Sequence, residues 1–383
     1  MSENILLSSP VTHVDWVWNH RGHIGHGAKS VRVILDRCQA VGLSRVYWRC
    51  FDGGLALYNS RLMYPESKGP DADDYHAWSS PGKPRPDVFS GYKNFDSLAE
   101  AVRYGRKIGL EVHAWLSINE DDHAWGIASR FTKEHPQFRW VKRSGMPYNS
   151  QLSFAFPEVL QYKLALVKEI LAYDVDGFFF DWMRTGDLRN GPQADKTGTA
   201  DYGYEKPLVE AFETKYGKNP REIPNDDETW VQFRCEPQTQ FVKDAHKLIK
   251  KKCKSLPIAM MGHHPWSYRG DGTVRLNGNK NGLLLDVAQW AKEGWIDEAV
   301  AAGYYRKGGT PAKAYAYMKE LVGRNCGVWS YEWVPCNTEQ FEASIKRAKR
   351  LGAKQILYWE SDYFGVEDQN DSDKERTARM LEF

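Results

Sequence analysis

Short apolar runs alternate with longer amphipathic segments along the whole chain, and this alternation constrains the fold more than any other feature. Strand–helix alternation of this kind is typical of right-handed βαβ units that build a parallel sheet. The runs with the length and composition of buried strands are Val11–Asn19, Arg45–Asp52, Leu110–Asn119, Gly177–Met183, Ile258–His264, Glu298–Tyr305, Gly327–Val334 and Gln355–Asp362. Helical periodicity covers segments between them, including Ser30–Val41, Ser97–Ile108, Pro157–Ala172, Glu236–Lys252, Ala312–Val322 and Thr338–Leu351.

Eight strand–helix units favour a closed (β/α)8 barrel over an open, doubly wound sheet. A dinucleotide-binding sheet is further disfavoured because no GxGxxG sequence follows the first run. Two connections are long, Asp52 to Asp96 and Arg184 to about Gln232, and long loops at a barrel rim usually form substrate walls. The prediction is therefore one α/β domain over residues 1–383, a (β/α)8 TIM barrel with long loops after strands two and four.

Composition argues against several classes of partner and compartment. The net charge of +2 gives no electrostatic reason to expect nucleic acid or a membrane surface as a partner. No apolar run reaches the ~18 residues of a transmembrane helix, and Met1 to Pro10 lack the pattern of a signal peptide. The six cysteines have no metal-like spacing. The sequence as written therefore predicts a cytoplasmic protein, or a secreted or periplasmic one if a signal has been removed.

One of the apolar runs ends abruptly in a carboxylate. Residues 176–184 read Asp-Gly-Phe-Phe-Phe-Asp-Trp-Met-Arg, a strand buried on both faces that stops at Asp181. Burial of a charged aspartate at the end of a strand costs free energy, so its presence there indicates a function. In a (β/α)8 barrel the catalytic residues lie at the carboxyl ends of the strands. Asp181 is therefore the first catalytic candidate.

The alternation of side chains along a strand predicts which residues face the inside of the barrel. In the third run the even positions are apolar and the odd positions form a polar ladder, which predicts that the odd set lies inside: His113, Trp115, Ser117 and Asn119. The same reasoning places Asp181 inside with Phe179. Further side chains at or near strand ends complete the predicted set of substrate contacts: Arg49, Asp52, Trp182, His263, Tyr304, Tyr305 and Asp362.

Carboxylates, aromatic rings, histidines and arginines at strand ends, without a phosphate loop, are typical of a glycosidase. Hydrolysis of a glycosidic bond requires two carboxyl groups, one protonated and one ionised. Asp181 could pair with Glu332 at the end of strand seven, across the mouth, with Glu360 at the end of strand eight, or with Asp362 shortly after it. Arg184 would favour the ionised form of Asp181, which assigns Asp181 the role of nucleophile or base and leaves the acid role to Glu332.

No cofactor or metal ion is expected. His20, His23 and His26 are spaced three residues apart, whereas histidine ligands on one helical face prefer a spacing of four, and no cysteine or acid accompanies them. A carbohydrate is the expected partner, because the 15 Trp and 20 Tyr residues offer flat faces with a polar edge that suit stacking on sugar rings. The sequence makes no prediction of oligomeric state.

Four motifs make the chain resemble the glycoside-hydrolase-like family 10 proteins, which are TIM-barrel glycosidase relatives. They are the segments Gly109–Leu116, Val175–Trp182, Tyr202–Gly217 and Trp290–Asp297, in this order and spacing. The resemblance implies a (β/α)8 barrel that acts on carbohydrate, with Asp181 as the firmest functional position. Two features depart from the family pattern: no secretion signal is present, and strand six ends in Tyr304 and Tyr305 without a carboxylate. A catalytic pair on strands four and six is therefore not supported.

Alternative functions remain open at this point. The carboxylates could belong to a catalytically inactive barrel that only binds carbohydrate. A metal-dependent barrel hydrolase would want a His-x-His on strand one, but this chain has His13-Val-Asp15, too early in the strand. A lyase would need Tyr304 or His263 as its base. Glycoside hydrolysis of a poly- or oligosaccharide by a two-carboxylate mechanism is the leading hypothesis.

Overall fold

Eight parallel strands close into a barrel in chain order, each hydrogen-bonded to two neighbours. The computed structural model describes residues 5–19, 24–52, 54–63, 92, 94–123, 127–183, 201–263, 283–302, 309–335, 337–359 and 361–364. The barrel strands are β1 Leu6–Val11, β2 Arg45–Arg49, β3 Glu111–Ser117, β4 Gly177–Asp181, β5 Ile258–His263, β6 Glu298–Ala302, β7 Gly327–Trp333 and β8 Gln355–Trp359. The predicted (β/α)8 fold is confirmed.

Helices surround the barrel. They are α1 His13–Asn19, α2 Ala28–Ala40, α3 Ser97–Ile108, α4 Arg130–Glu134, α5 Pro157–Ile170, α6 Lys206–Tyr216, α7 Glu228–Lys252, α8 Val287–Lys292, α9 Ala312–Val322 and α10 Thr338–Leu351. Caps agree with the sequence: Asp96 accepts a hydrogen bond from the Ala99 N–H at the start of α3, and Gly109 ends that helix with a left-handed φ of 76°. No helix among these is long and apolar enough to cross a bilayer.

The predicted position of the first strand was wrong. Strand β1 occupies Leu6–Val11, and most of the segment predicted as a strand forms helix α1. Val14 and Val17 are both buried and lie three residues apart, which is a helical spacing. His13, at the start of α1, is enclosed by hydrogen bonds to the hydroxyls of Ser30 and Tyr92, and burial lowers its pKa to about 3. It is therefore part of the packing between α1 and α2.

The connection after β3 was not predicted as a long excursion. It contains two small antiparallel hairpins, Asp122–His123 with Ile127–Ala128 and Arg139–Val141 with Pro147–Leu152, as well as helix α4. Much of the predicted long loops after strands two and four falls on residues 64–91 and 184–200, which lie outside the described residues. Among the described residues, the additional structure at the rim of the barrel therefore lies mainly in the connection after β3.

A buried ion pair fixes the excursion to the barrel. The Lys163 ammonium of α5 contacts the Asp121 carboxylate and donates to the Ile118 carbonyl at 2.6 Å. The second carboxylate oxygen of Asp121 accepts the Leu152 N–H at 3.0 Å. Both charged side chains are almost fully buried. One lysine thus joins the rim of β3, the hairpin and helix α5.

The inner core of the barrel is aromatic. Large side chains from alternating strand positions fill it, including Tyr47, Trp115, Phe179, Trp329 and Tyr331. A second and larger apolar cluster packs the outer faces of the strands against the helices. The two sets alternate along each strand, so every strand has a defined inner and outer face, as expected for a packed barrel.

A buried carboxyl group in the wall beside the barrel makes stability depend on pH. Burial raises the pKa of Glu205 from 4.5 to about 7, although its side chain accepts the Val141 N–H at 2.8 Å and lies near Arg234. The folded state therefore holds a proton that the unfolded chain releases above pH 4.5, so stability falls as pH rises from about 4.5 to about 7.

We expect Glu205→Gln to remove this dependence. The amide keeps an acceptor for the Val141 N–H but carries no charge, so the unfolding free energy should exceed that of the wild type at pH 8 by about 3 kcal/mol. At pH 4.5 the two proteins should be nearly equal. Urea unfolding at several pH values measures the difference, and parallel curves for wild type and variant would contradict the assignment.

Candidate active site

Asp181 lies where the sequence predicted it, at the carboxyl end of β4 on the inner face. Phe179, two residues earlier, belongs to the inner core, and Phe178 and Phe180 pack against the helices. The Asp181 side chain is only 1% exposed, and its Oδ1 accepts the Trp182 backbone N–H at 2.7 Å. Ser117 of β3 is its partner in the strand register. A buried carboxylate at this end of a barrel strand stands at the position where such folds assemble chemistry.

A buried arginine–glutamate pair lies beside Ser117, the residue that pairs with Asp181 in the strand register. The Arg49 guanidinium, from the inner face of β2, contacts the Glu120 carboxylate and donates from Nε to the Ser117 hydroxyl at 3.2 Å. The same guanidinium lies 4.9 Å from the ring centre of Trp115. Both charged side chains are less than a tenth exposed. Arg49 therefore sits in the mouth as predicted, and it holds a second carboxylate there that the sequence analysis missed.

The described tryptophans near the mouth of the barrel differ in exposure: one is fully buried below the mouth, and the others are partly exposed at its rim. Trp115 is fully buried below Arg49, so it forms the floor and its ring is covered. Trp359 contacts Trp115 edge to face at 5.5 Å and is half-buried, and Trp333 pairs with it in the register and is 41% exposed. Trp182 is also half-buried, directly after Asp181. Among the described tryptophans at this end of the barrel, the rings that are partly exposed are those of Trp182, Trp333 and Trp359.

Glu332 does not face the mouth. The inner face of β7 carries Trp329 and Tyr331, and Glu332 lies on the outer face beside Tyr358 of β8, against helix α10. Arg347 of α10 donates to its Oε2 at 2.7 Å. Burial raises the pKa of Glu332, and Arg347 partly offsets this shift. The predicted orientation of Glu332 was wrong, because the aromatic residues rather than the polar ones of this strand fill the barrel.

His113 is inside the barrel but at its opposite end. It pairs with Tyr47 and Gly177, four residues before Ser117, so it lies roughly 13 Å below the mouth along the strand. Its Nε2 contacts the Glu111 carboxylate at 3.2 Å, and burial lowers its pKa to about 4. The prediction that His113 touches the substrate was wrong, since the amino-terminal face of such barrels serves stability.

Asn119 also departs from its predicted role. Its side-chain amide donates to the Met183 carbonyl at 2.8 Å and to the Gln238 side chain at 3.1 Å. The strand ends at Ser117, so the alternation no longer decides the direction of Asn119. The side chain thus braces the segment after β4 in place of pointing into the mouth.

The remaining predicted residues are placed only in part. Asp362 is buried in a 3-10 turn, Ser361–Tyr363, that follows β8. The backbone of His263 pairs with Ala302 at the carboxyl end of β5, and that of Asp52 pairs with Leu55 in a two-residue hairpin. The side chains of these last two lie outside the described residues, as do Arg184, Tyr304, Tyr305, Glu360, His20 and His23.

Glu120, Trp333 and Trp359 were missed as candidates. A sequence signal existed for the tryptophans, because residues 329, 331 and 333 alternate as large aromatic rings and a barrel interior is filled by bulky side chains. No such signal existed for Glu120, which lies beyond the strand. Among the described residues, no group of three or more His, Cys, Asp or Glu side chains is arranged to hold a metal ion.

The barrel is similar to solved glycosidase structures at low sequence identity. The catalytic domain of a β-amylase from Paenibacillus polymyxa has a TM-score of 0.54 and 10% identity, over 93% of this chain and 93% of that chain. The endo-1,4-β-mannanase from Rhizomucor miehei has a TM-score of 0.51 and 11% identity, over 99% and 96%. The β-galactosidase from Bacillus circulans sp. alkalophilus has a TM-score of 0.58 and 10% identity, over 99% and 56%. At these identities the likeness establishes the fold alone.

Family membership rests on the sequence itself. No curated protein sequence matches this chain. The family model described as glycosyl hydrolase-like 10 matches residues 27–325, a range that runs from the start of α2 to the segment before β7 and includes Asp181, Arg49 and Glu120. The match covers well over half of the chain and agrees with the motifs around β3 and β4. This chain therefore belongs to the glycosyl hydrolase-like 10 family.

Proposed function

We propose that this protein is a glycoside hydrolase that cleaves a poly- or oligosaccharide, with Asp181 as a catalytic carboxylate. The observation that carries the proposal is the position of Asp181: a buried carboxylate on the inner face of β4, at the carboxyl end of the barrel. Membership of the glycosyl hydrolase-like 10 family supports the reaction class. The substrate would enter from the rim that the tryptophans form.

The surroundings of Asp181 suit a sugar. Trp333 and Trp359 present partly exposed rings on neighbouring strands, and indole faces pack well against the apolar faces of pyranose rings. Arg49, held in place by Glu120 and bonded to Ser117 of the strand between β2 and β4, adds a rigid positive charge to the mouth. The glycosidic oxygen and anomeric carbon would then lie near Asp181, where a carboxyl group can transfer a proton or stabilise positive charge.

Two carboxyl groups are needed, and Glu120 and Glu360 are the candidates we favour for the partner of Asp181. Glu120 lies in the mouth, ion-paired to the same Arg49 that bonds Ser117 beside Asp181. Glu360, the candidate from the sequence, directly follows Trp359 of β8 and lies outside the described residues. Glu332 is no longer a candidate for this role, because its carboxylate is bound by Arg347 on the helix side of β7.

A substrate panel tests the function directly. Purified protein would be incubated with soluble poly- and oligosaccharides of different sugars and linkages, and the release of reducing ends would be measured. Hydrolysis of at least one substrate is the expected result. Binding of a saccharide without any cleavage across the panel would contradict the proposal and favour an inactive carbohydrate-binding barrel.

We expect Glu120→Gln to lower kcat/KM by roughly 100-fold or more, the usual effect of removing an acid–base group. Glu332→Gln is a matched control, since this glutamate is also buried and paired with an arginine, but on the helix side. It should leave kcat/KM within about threefold while changing stability. The initial rate on the best substrate of the panel measures both. Equal rates for the two variants would exclude Glu120 and leave Glu360 as the partner.

A further inference from the structure

The residue after Asp181 has an unusual backbone conformation. Trp182 has a φ of 47°, in the left-handed region, and among the described residues only Leu284 shares this property without being glycine. A bulky side chain is rarely found there, because its Cβ is crowded by the backbone. Strained conformations of this kind persist only where the surrounding structure holds them, and they cluster at functional sites.

Four hydrogen bonds hold the strained turn after β4. The Ile118 and Asn119 N–H groups donate to the carbonyls of Asp181 and Trp182 at 3.0 and 3.1 Å. The next carbonyl, that of Met183, accepts both the Asn119 amide at 2.8 Å and the Gln238 amide at 2.5 Å. Gln238 belongs to helix α7 and is buried. Three consecutive carbonyls are therefore fixed, all by the segment directly after β3 and the last of them also by a helix outside the barrel.

The strained turn acts on the carboxylate itself. The Trp182 N–H, on the peptide between the two residues, donates to Asp181 Oδ1 at 2.7 Å. A carboxyl group with one oxygen bound in this way has a fixed side-chain direction. The peptide that carries this donor can hold its orientation only if the backbone on both sides of it is held, and the hydrogen bonds from the segment after β3 and from α7 do this.

We propose that the left-handed turn at Trp182, clamped by Asn119 and Gln238, is a positioning device for the Asp181 carboxylate. This inference rests on the proposed function and adds two positioning residues, Gln238 and Asn119, and a backbone role for Trp182 that is separate from any contact of its ring with sugar. Gln238 touches neither Asp181 nor the substrate in this scheme and acts through the Met183 carbonyl.

Two variants at position 182 separate the backbone from the ring. Both Trp182→Gly and Trp182→Val remove the indole, but glycine adopts positive φ freely and a β-branched valine does not. Both should raise KM equally if the ring binds sugar. The kcat of Trp182→Gly should exceed that of Trp182→Val by about 30-fold or more, because a displacement of about 1 Å at the reacting group can cost ~100-fold.

Two further variants provide a control for the change to valine and a test of the hydrogen bond from Gln238. Leu284→Val places the same β-branched residue at the other left-handed position, outside the barrel, and should lower the melting temperature without changing kcat. Gln238→Leu removes one clamp donor and should lower kcat about 10-fold with KM unchanged. All rates refer to folded protein, verified by circular dichroism, on the saccharide that the wild type cleaves best.

The outcomes distinguish this inference from the function on which it rests. Equal kcat values for Trp182→Gly and Trp182→Val, or a Gln238→Leu variant with the wild-type kcat, would overturn the positioning role while the wild type still cleaves its substrate. A wild type that cleaves no saccharide would overturn the proposed function and this inference together. A large kcat ratio between the glycine and valine variants, with matching KM values, would support it.

Discussion

Asp181→Asn should lower kcat/KM by at least ~1,000-fold, which corresponds to about 4 kcal/mol of transition-state stabilisation. Asparagine has nearly the same shape and can still accept the Trp182 N–H through its amide oxygen, so the fold should remain intact. The amide can neither donate a proton at neutral pH nor carry the negative charge that stabilises an oxocarbenium-like transition state. The initial rate of reducing-end release measures the loss.

Asp176→Asn is the matched control for this variant. Asp176 directly precedes β4, at the opposite end of the same strand, where its carboxylate accepts the Val112 N–H at 2.8 Å. The same chemical change at this end should cost some stability and leave kcat/KM within about threefold. Turnover that survives in a folded Asp181→Asn variant would contradict the central assignment of the catalytic residue, although hydrolysis by another carboxylate would still be open to test.

Lys163→Met should lower the free energy of unfolding by about 3–5 kcal/mol. Lys163 is buried against the fully buried Asp121 carboxylate, and its removal would leave that negative charge buried without its cation. It would also leave the Ile118 carbonyl without this donor, in the residue whose N–H binds the Asp181 carbonyl. Urea unfolding at neutral pH measures the change.

Two comparisons show whether the cost arises from the buried charge. The double variant Lys163→Met with Asp121→Asn removes both charges and should recover part of the loss. Arg130→Met breaks an exposed ion pair with Glu134 on the nearby helix α4 and should cost at most about 1 kcal/mol. A Lys163→Met variant no less stable than Arg130→Met would show that the buried pair does not anchor the excursion after β3.

Local pattern was sufficient for most strands of this barrel and for several of its helices. Helices α3, α9 and α10 have the bounds that their periodicity and capping residues predicted. The failure at Val11–Asn19 has a physical cause: an apolar segment of nine residues can form a strand or a short buried helix with similar burial, and only the contacts of His13 with α2 and Tyr92 decide between them.

The site was predictable where the strand pattern is unambiguous. The alternation is clear in β3, where Val112, Ala114 and Leu116 pack on the helix side, and Asp181 pairs in the register with Ser117 of the inward-facing set. Strand β7 offers no such asymmetry, because both of its faces can be buried. A shift by one position exchanges the two faces of a strand, and the prediction for Glu332 failed for this reason.

The sequence by itself determined that this chain forms a (β/α)8 barrel and that a carboxylate stands at the inner end of β4, because both depend on periodicities of a few residues. Tertiary structure alone decided which side chains surround Asp181. Glu120 binds Arg49 in the mouth, and Gln238 binds the Met183 carbonyl two residues after Asp181, from segments that are far apart in the chain. The segment after β3 and helix α7 together hold the left-handed turn at Trp182. Contacts between such distant segments depend on the packed barrel, which no local pattern encodes.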